Sequence, residues 1–150
     1  MTFSRKVTCP FCGASDRIPA EQFSDDLVCA HCGRAMFAGK PIEVDAARFG
    51  ELVADEKPLL VDFWASWCGP CKAMAPAFEQ ASQTLADTVQ FAKLNTDDEQ
   101  QLAQEHGIRS IPTMILFRDG QEVARHSGAL MAGDIERWVE GHLAPAAAAT

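Results

Sequence analysis

The sequence predicts an α/β fold, in which a mixed central sheet is flanked by helices and preceded by a small cysteine-rich unit. Strand-like and helical patterns alternate from residue 41 onwards in the order βαβαβαββα. Asp119-Gly120, between the last two strands, is a strong hairpin signal. Four of the six cysteines fall in the first 40 residues as two Cys-x-x-Cys pairs. We therefore expect a small domain over 1–40, a main domain over 41–145 and a frayed tail over 146–150.

The first half of the main domain begins with a short strand over 42–44. Asp45 can then cap a helix whose apolar face starts at Phe49. The continuous apolar run over 59–64 predicts a buried strand in the middle of the sheet. After residue 71, apolar side chains recur at helical spacing as far as Leu85, which predicts a long helix.

The second half continues with a strand over 89–94 and a polar helix that Gly107 terminates. Strands over 113–117 and 122–124 follow, joined by the hairpin turn. A last helix carries the apolar face that begins at Ile135. Because a parallel sheet binds ligands beyond the C-terminal ends of its strands, the residues just after the central strand are candidates for function.

Charge and hydropathy narrow the classes of function. The net charge is -8, and residues 41–150 carry eight cationic and seventeen acidic side chains. An acidic body without a basic stripe argues against nucleic-acid binding. No run approaches the roughly 18 consecutive apolar residues of a membrane span, and no secretory signal is evident. We therefore expect a cytoplasmic protein, in which paired cysteines more often bind metal or act in catalysis than form structural disulfides.

The first two cysteine pairs have the spacing of a zinc site. They read Cys9-x2-Cys12-x16-Cys29-x2-Cys32, and a glycine follows each pair. Two such knuckles supply four thiolates to a tetrahedral Zn²⁺. The alternatives are two structural disulfides or two redox pairs. We expect one structural Zn²⁺ held by these four cysteines in a ribbon-like domain.

The third pair, Cys68 and Cys71, lies in a different context. It follows the apolar strand and precedes the long helix. A cysteine at the start of a helix meets unpaired N–H groups and the positive end of the helix dipole, which favour the nucleophilic thiolate. Cys71 then lies one turn on, within reach of Cys68. A buried pair of small apolar residues is the alternative to this redox dithiol.

The sequence resembles the thioredoxin family over about residues 42–143. Four segments carry the resemblance in order: Asp62-Phe63-Trp64-Ala65-Ser66-Trp67-Cys68-Gly69-Pro70-Cys71, Gly107-Ile108-Arg109-Ser110-Ile111-Pro112-Thr113, Asp119-Gly120 and Gly128-Ala129. The N-terminal cysteine pairs are similar to those of bacterial members that carry a zinc ribbon. The resemblance implies a thioredoxin fold and reduction of protein disulfides. It also implies a monomer that an NADPH-dependent thioredoxin reductase recharges. The chain has no Rossmann glycine fingerprint, so we expect no bound NADPH or flavin.

The resemblance also assigns roles around the dithiol. Cys68 would be the attacking thiolate and Cys71 the resolving thiol. Asp62 interrupts an apolar strand, so we expect a buried carboxyl of raised pKa that takes the proton of Cys71 through water. An Asp on a solvated strand face is the alternative. Lys93 matches the lysine that lies near this aspartate and would tune its charge, unless it merely extends to solvent.

The substrate would dock on a mostly apolar surface around the sulfurs. The residues expected there are Trp67, Gly69, Pro70, Ile111, Pro112, Gly128 and Ala129. Ile111-Pro112 would be a cis peptide whose backbone pairs with an extended substrate, although Pro112 could simply start a strand. Met131 stands where the family often has a polar helix cap, so we expect the last helix to begin nearer Asp134.

Two other functions compete with disulfide reduction. A disulfide oxidase or isomerase would share the fold, but Gly69-Pro70 resembles the dipeptide of the reductants. The second rival is a non-enzymatic module, in which the ribbon senses oxidation by releasing zinc or binds partners in a chaperone-like role.

Overall fold

The computed structural model describes residues 4–22, 27–36, 40–86 and 88–143, so the predicted tail over 146–150 lies outside the described residues. The strands are β1 Ser4–Thr8, β2 Ser15–Pro19, β3 Ile42–Glu43, β4 Leu59–Trp64, β5 Gln90–Asn95, β6 Thr113–Arg118 and β7 Gln121–Ser127. The helices are α1 Ala46–Val53, α2 Gly69–Thr84, α3 Gln100–Glu105 and α4 Ala132–Leu143, and a 3-10 turn spans Ala20–Gln22. From β3 onwards the order is the predicted βαβαβαββα.

The main sheet has five strands in the order β3-β5-β4-β6-β7. β3 and β4 run parallel to β5, whereas β6 and β7 run antiparallel to their neighbours. The mixed sheet is therefore confirmed. β4 lies in the middle and its first five side chains are buried, which explains why Leu59–Trp64 reads as an almost continuous apolar run.

Helices cover both faces of this sheet. Because side chains of a strand alternate between faces, Leu60 joins a core cluster with Phe78 of α2 and Ile135 of α4. Phe63 joins the opposite cluster with Phe49 of α1. Each large apolar side chain buried in this way contributes about 1.5–3 kcal/mol relative to full exposure. None of the helices in the described part of the chain has the length and apolar character needed to cross a membrane.

Two local predictions have different outcomes. Asp119 and Gly120 both have positive φ, 53° and 81°, as a two-residue hairpin with a type I′ turn requires. The expectation that α4 begins nearer Asp134 is wrong, since it begins at Ala132. The N–H of Ile135 donates to the carbonyl of Met131 over 3.0 Å, so the backbone of Met131 closes the first turn without a polar side chain there.

An N-terminal module, residues 4–22 and 27–36, packs against the loop between α1 and β4. Thr8 donates its backbone N–H and its hydroxyl to the two carboxylate oxygens of Asp55, over 2.7 and 2.8 Å. Asp55 is only 5% exposed. Its burial raises its pKa, and the two hydrogen bonds from Thr8 partly offset that effect. Asp55 precedes β4 and Cys68 follows it, so the contact of Thr8 with Asp55 and the third cysteine pair lie at opposite ends of this strand, which is about 20 Å long.

Candidate functional site

The third cysteine pair spans the first turn of α2. Cys68 and Cys71 form a disulfide, and their Cα atoms lie 5.3 Å apart. Cys68 is the N-cap residue, with extended backbone, and its Sγ accepts the N–H of Cys71 over 3.2 Å. Pro70 lies in the first turn, where its missing N–H costs no helical hydrogen bond. The sulfur of Cys68 therefore occupies the position at which a helix stabilises negative charge.

A second loop brings its backbone to the disulfide. The Ile111–Pro112 peptide bond is cis, as expected from the sequence resemblance. The carbonyl oxygen of Ile111 lies 3.7 Å from the sulfur of Cys68. The carbonyl oxygen of Pro112 accepts the N–H of Gly128 over 2.9 Å, which holds the loop after β7 beside the same site.

The seven residues expected to form the docking surface differ in exposure. Trp67 is 69% exposed. Gly69, Pro70, Gly128 and Ala129 are also exposed. Ile111 is half-buried and Pro112 is buried, so Pro112 offers little side-chain surface to a substrate.

Sequence patterns did not reveal all of this surface. The indole N–H of Trp67 donates to the carboxylate of Asp97 over 2.9 Å, which ties the exposed ring to the loop after β5. A shallow groove of about 190 Å³ runs from Trp67 to Ile111 and is also lined by Arg109. Nothing in the spacing of the chain connects Asp97 and Arg109 with Trp67, since the fold alone brings them together.

Asp62 lies in the middle of β4 and is fully buried. Neither carboxylate oxygen accepts a hydrogen bond from the described residues. Burial raises the pKa of Asp62 to about 7. The positive charge of Lys93 partly offsets this effect, and the negative charge of Glu43 adds to it. The predicted buried carboxyl of raised pKa is confirmed, and the alternative of a solvated strand face is wrong.

Lys93 stands directly opposite Asp62 in the parallel pair of β4 and β5. Its side chain is half-buried. Its Nζ atom lies 4.3 Å from the centroid of the Trp64 ring, in the arrangement of a cation–π contact. The ammonium therefore acts on Asp62 as a neighbouring charge, without a hydrogen bond to it.

The four remaining cysteines come together in the N-terminal module. All four Sγ atoms lie within 4.8 Å of one another, so the cluster can hold a metal ion. The distances Cys9–Cys32 and Cys12–Cys29 are both 3.7 Å, and all four thiols are free. Tetrahedral Zn²⁺ with Zn–S bonds of about 2.3 Å requires sulfurs about 3.8 Å apart. The geometry fits such an ion, and the alternative of two structural disulfides is wrong.

The two halves of the cluster repeat the same backbone turn. The N–H of Gly13 donates to the carbonyl of Cys9, and that of Gly33 to the carbonyl of Cys29. Both glycines have φ near 80°, at 82° and 79°, which side chains rarely tolerate. The ring of His31 contacts the carboxylate of Asp16 rather than completing the cluster. Since burial raises the pKa of Cys9, a bound cation would be needed to keep that sulfur ionised.

Comparison with known proteins agrees with this geometry. Residues 40–141 match the family model described as Thioredoxin. Thioredoxin C-3 of Corynebacterium nephridii is 38% identical over 138 residues, which cover 91% of this chain and 94% of that protein. The thioredoxin of Rhodospirillum rubrum is 43% identical over 96 residues, which cover 64% and 92% of the two chains.

Solved structures give the same result. The thioredoxin of Malassezia sympodialis superposes with a TM-score of 0.64 at 36% identity, over 70% of this chain and 93% of that one. A mutant thioredoxin from Halobacterium salinarum NRC-1 superposes with a TM-score of 0.65 at 30% identity, over 71% and 96% of the chains. The four-cysteine cluster is consistent with a variant that carries an N-terminal zinc ribbon. The chain therefore belongs to the thioredoxin family and is a thioredoxin-type protein-disulfide reductase.

Proposed function

We propose that the protein reduces disulfides of other proteins through the dithiol of Cys68 and Cys71, by way of a mixed disulfide. The observation that carries this proposal is the position of the pair, at the N-terminus of α2 and beside the carbonyl of Ile111. In the reduced form, the Cys68 thiolate attacks one sulfur of the target, whose other sulfur leaves as a thiolate and takes a proton. Cys71 then attacks Cys68 and releases the second target thiol. Two electrons pass to the target, and the protein ends with the disulfide between Cys68 and Cys71.

Cys68 is the better nucleophile of the two on electrostatic grounds. The N–H of Cys71 points at the sulfur of Cys68, whereas Cys71 itself lies inside the helix, at its third residue. The charge of a thiolate is therefore stabilised at Cys68 by both this hydrogen bond and the helix dipole. This asymmetry supports Cys68 as the attacking residue and Cys71 as the resolving one.

Asp62 is the proposed proton acceptor for Cys71. It lies on the same face of β4 as Leu60, whose core cluster includes Met74 of α2. A pKa of about 7 is suited to taking up and giving back a proton near neutral pH. Lys93 would assist by tuning the charge of Asp62 from the neighbouring strand.

The docking surface would bind an extended segment that contains the target disulfide. The carbonyl of Ile111 faces the sulfur of Cys68, while that of Pro112 is already bonded to Gly128. We therefore assign backbone pairing with the substrate to Ile111, and a positioning role to the cis Pro112. Trp67 and the loop of Gly128 and Ala129, together with Gly69 and Pro70, would supply the exposed apolar contacts.

The oxidised protein needs a reductant to complete the cycle. We propose an NADPH-dependent thioredoxin reductase, with no NADPH or flavin bound by this chain. The Bifunctional thioredoxin reductase/thioredoxin of Mycobacterium leprae supports the pairing, since it is 48% identical over 93 residues, 61% of this chain and 20% of that protein. We propose that the protein acts as a monomer on protein substrates in the cytoplasm. The cytoplasm is a reducing compartment, which suits the four unpaired cysteines.

We further propose that Cys9, Cys12, Cys29 and Cys32 hold one structural Zn²⁺. Residues 1–40 would then form the zinc ribbon and residues 41–145 the thioredoxin domain. The ribbon docks through Asp55, at the end of β4 opposite to the disulfide. This separation supports a structural metal over a redox sensor that acts on the dithiol.

Reduction of insulin, coupled to NADPH and thioredoxin reductase, tests the mechanism. We expect Cys68→Ser to abolish reduction and Cys71→Ser to accumulate a mixed disulfide with the substrate, detected by mass spectrometry. Activity that survives Cys68→Ser would eliminate Cys68 as the nucleophile. A reduction potential typical of an oxidant would instead favour a disulfide oxidase or isomerase.

A further inference from the structure

Three charged residues lie at one level across three neighbouring strands. In the order β3-β5-β4, Glu43 stands opposite Lys93, and Lys93 stands opposite Asp62. Neighbouring strands are about 4.8 Å apart, and residues in register point to the same face. Exposure falls along this row, since Glu43 is exposed, Lys93 is half-buried and Asp62 is buried.

The ammonium of Lys93 makes no hydrogen bond with the buried carboxyl. It stacks 4.3 Å from the centroid of the Trp64 ring, while both oxygens of Asp62 lack hydrogen bonds from the described residues. Trp64 is two residues beyond Asp62 on β4 and therefore on the same face. Its indole N–H is buried without a hydrogen-bond partner among the described residues. Burial raises the pKa of Glu43, and interactions with Lys93 and Trp64 partly offset that effect. The carboxylate of Glu43 thus acts on the same small region as Lys93 and Trp64.

We propose that Glu43 is a positioning residue for thiol–disulfide exchange: its carboxylate draws the ammonium of Lys93 to the solvent side of Trp64, which leaves Asp62 free to take the proton of Cys71. This inference rests on the proposed role of Asp62 as proton acceptor. Without Glu43, the carboxylate of Asp62 is the acidic group that remains in register with Lys93 on a neighbouring strand. Lys93 would then pair with Asp62 and hold it in the ionised form.

The other groups around Asp62 are consistent with this arrangement. Of its strand neighbours, β6 presents the uncharged Met114 in register with Asp62. On the helix side, Trp64 packs against the cluster of Ala65, Cys68 and Cys71. A groove of about 190 Å³ on the solvent side of Lys93 is lined by Lys40 and Glu79, and Asp98 raises the pKa of Glu43 from the loop after β5. These outer charges are exposed and therefore more strongly screened than Lys93 and Asp62.

Titration of the Asp62 carboxyl by carbon-13 NMR tests this inference in the oxidised protein. We expect Glu43→Gln to lower the pKa of Asp62 by roughly 0.3–1 unit, since Lys93 moves closer. Lys93→Gln should raise it. In the Lys93→Gln background, Glu43→Gln should have a clearly smaller effect, because only the direct repulsion between the two carboxylates remains. Glu140→Gln, at an exposed position on α4, is the matched control and should leave the pKa of Asp62 unchanged.

Two results would overturn the inference. One is an unchanged pKa of Asp62 in Glu43→Gln. The other is an equal shift with and without Lys93, which would mean direct repulsion between the two carboxylates. The titration measures the pKa of Asp62 directly and needs no enzymatic activity. Failure of the proposed proton-acceptor role would be seen in a different experiment, as an unaltered pH profile of reduction for Asp62→Asn.

Discussion

The buried carboxyl of Asp62 should make the protein less stable as the pH rises. Its pKa is about 7 in the folded protein, against an ordinary value of 3.8. Between these values the folded state holds a proton that the unfolded state has released. The free energy of unfolding therefore falls with increasing pH, by up to about 1.4 kcal/mol per pH unit.

Replacing Asp62 by Asn removes this dependence, because an amide does not titrate. The interval from 3.8 to about 7 corresponds to about 4 kcal/mol in total, of which about 3 kcal/mol falls between pH 5 and pH 8. The amide has its own cost in a site without hydrogen-bond partners, but that cost is the same at every pH. The informative quantity is thus the change with pH in the stability difference between Asp62→Asn and the natural protein.

Urea unfolding of the oxidised protein, followed by tryptophan fluorescence at pH 5, 6, 7 and 8, measures this change. We expect the variant to gain about 3 kcal/mol on the natural protein from the lowest to the highest pH. Asp119→Asn is the control, since Asp119 is exposed and its backbone, with φ 53°, is one that Asn tolerates. A stability difference that does not change with pH would refute the argument from burial.

Two further predictions concern the N-terminal module. Asp55→Ala leaves the buried N–H of Thr8 without its acceptor, so we expect a loss of about 3 kcal/mol in urea unfolding and faster hydrogen exchange at the Thr8 amide. A loss below about 0.5 kcal/mol would show that this contact does not hold the module. Removal of metal by a chelator should abolish the exchange protection of the module while most of the disulfide-reduction rate remains, because docking and disulfide lie at opposite ends of β4. If the disulfide-reduction rate falls in proportion to the loss of metal, the result would favour a redox-sensing role of the metal instead.

Local patterns were sufficient for much of the fold. The buried strand over 59–64 coincides with β4, Leu59–Trp64, because a strand covered on both faces needs apolar residues at nearly every position. The turn at Asp119-Gly120 follows from the positive φ that both positions adopt. The start of α4 was misplaced because the backbone of Met131 closes its first turn, a solution that a search for polar caps does not consider.

The candidate site, too, could be predicted only in part from the sequence. The burial of Asp62 could be predicted from its apolar neighbours, and it is confirmed. The contact of Lys93 with Trp64 and the hydrogen bond from Trp67 to Asp97 could not be predicted. Both join side chains about 30 residues apart, and such pairs depend on strand register and loop path.

The sequence by itself determined which residues are candidates for the chemistry: the dithiol at a helix start, the four-cysteine cluster and a carboxyl in an apolar strand. These are local choices of residue type and spacing, and each has a direct physical reason. Only the tertiary structure decided where the groups act on one another. Strand register placed Glu43, Lys93 and Asp62 in one row, and the hydrogen bonds from Thr8 to Asp55 joined the N-terminal module to the loop before β4. Contacts of this kind join distant parts of the chain, so they exist only once the sheet has formed and the module has docked.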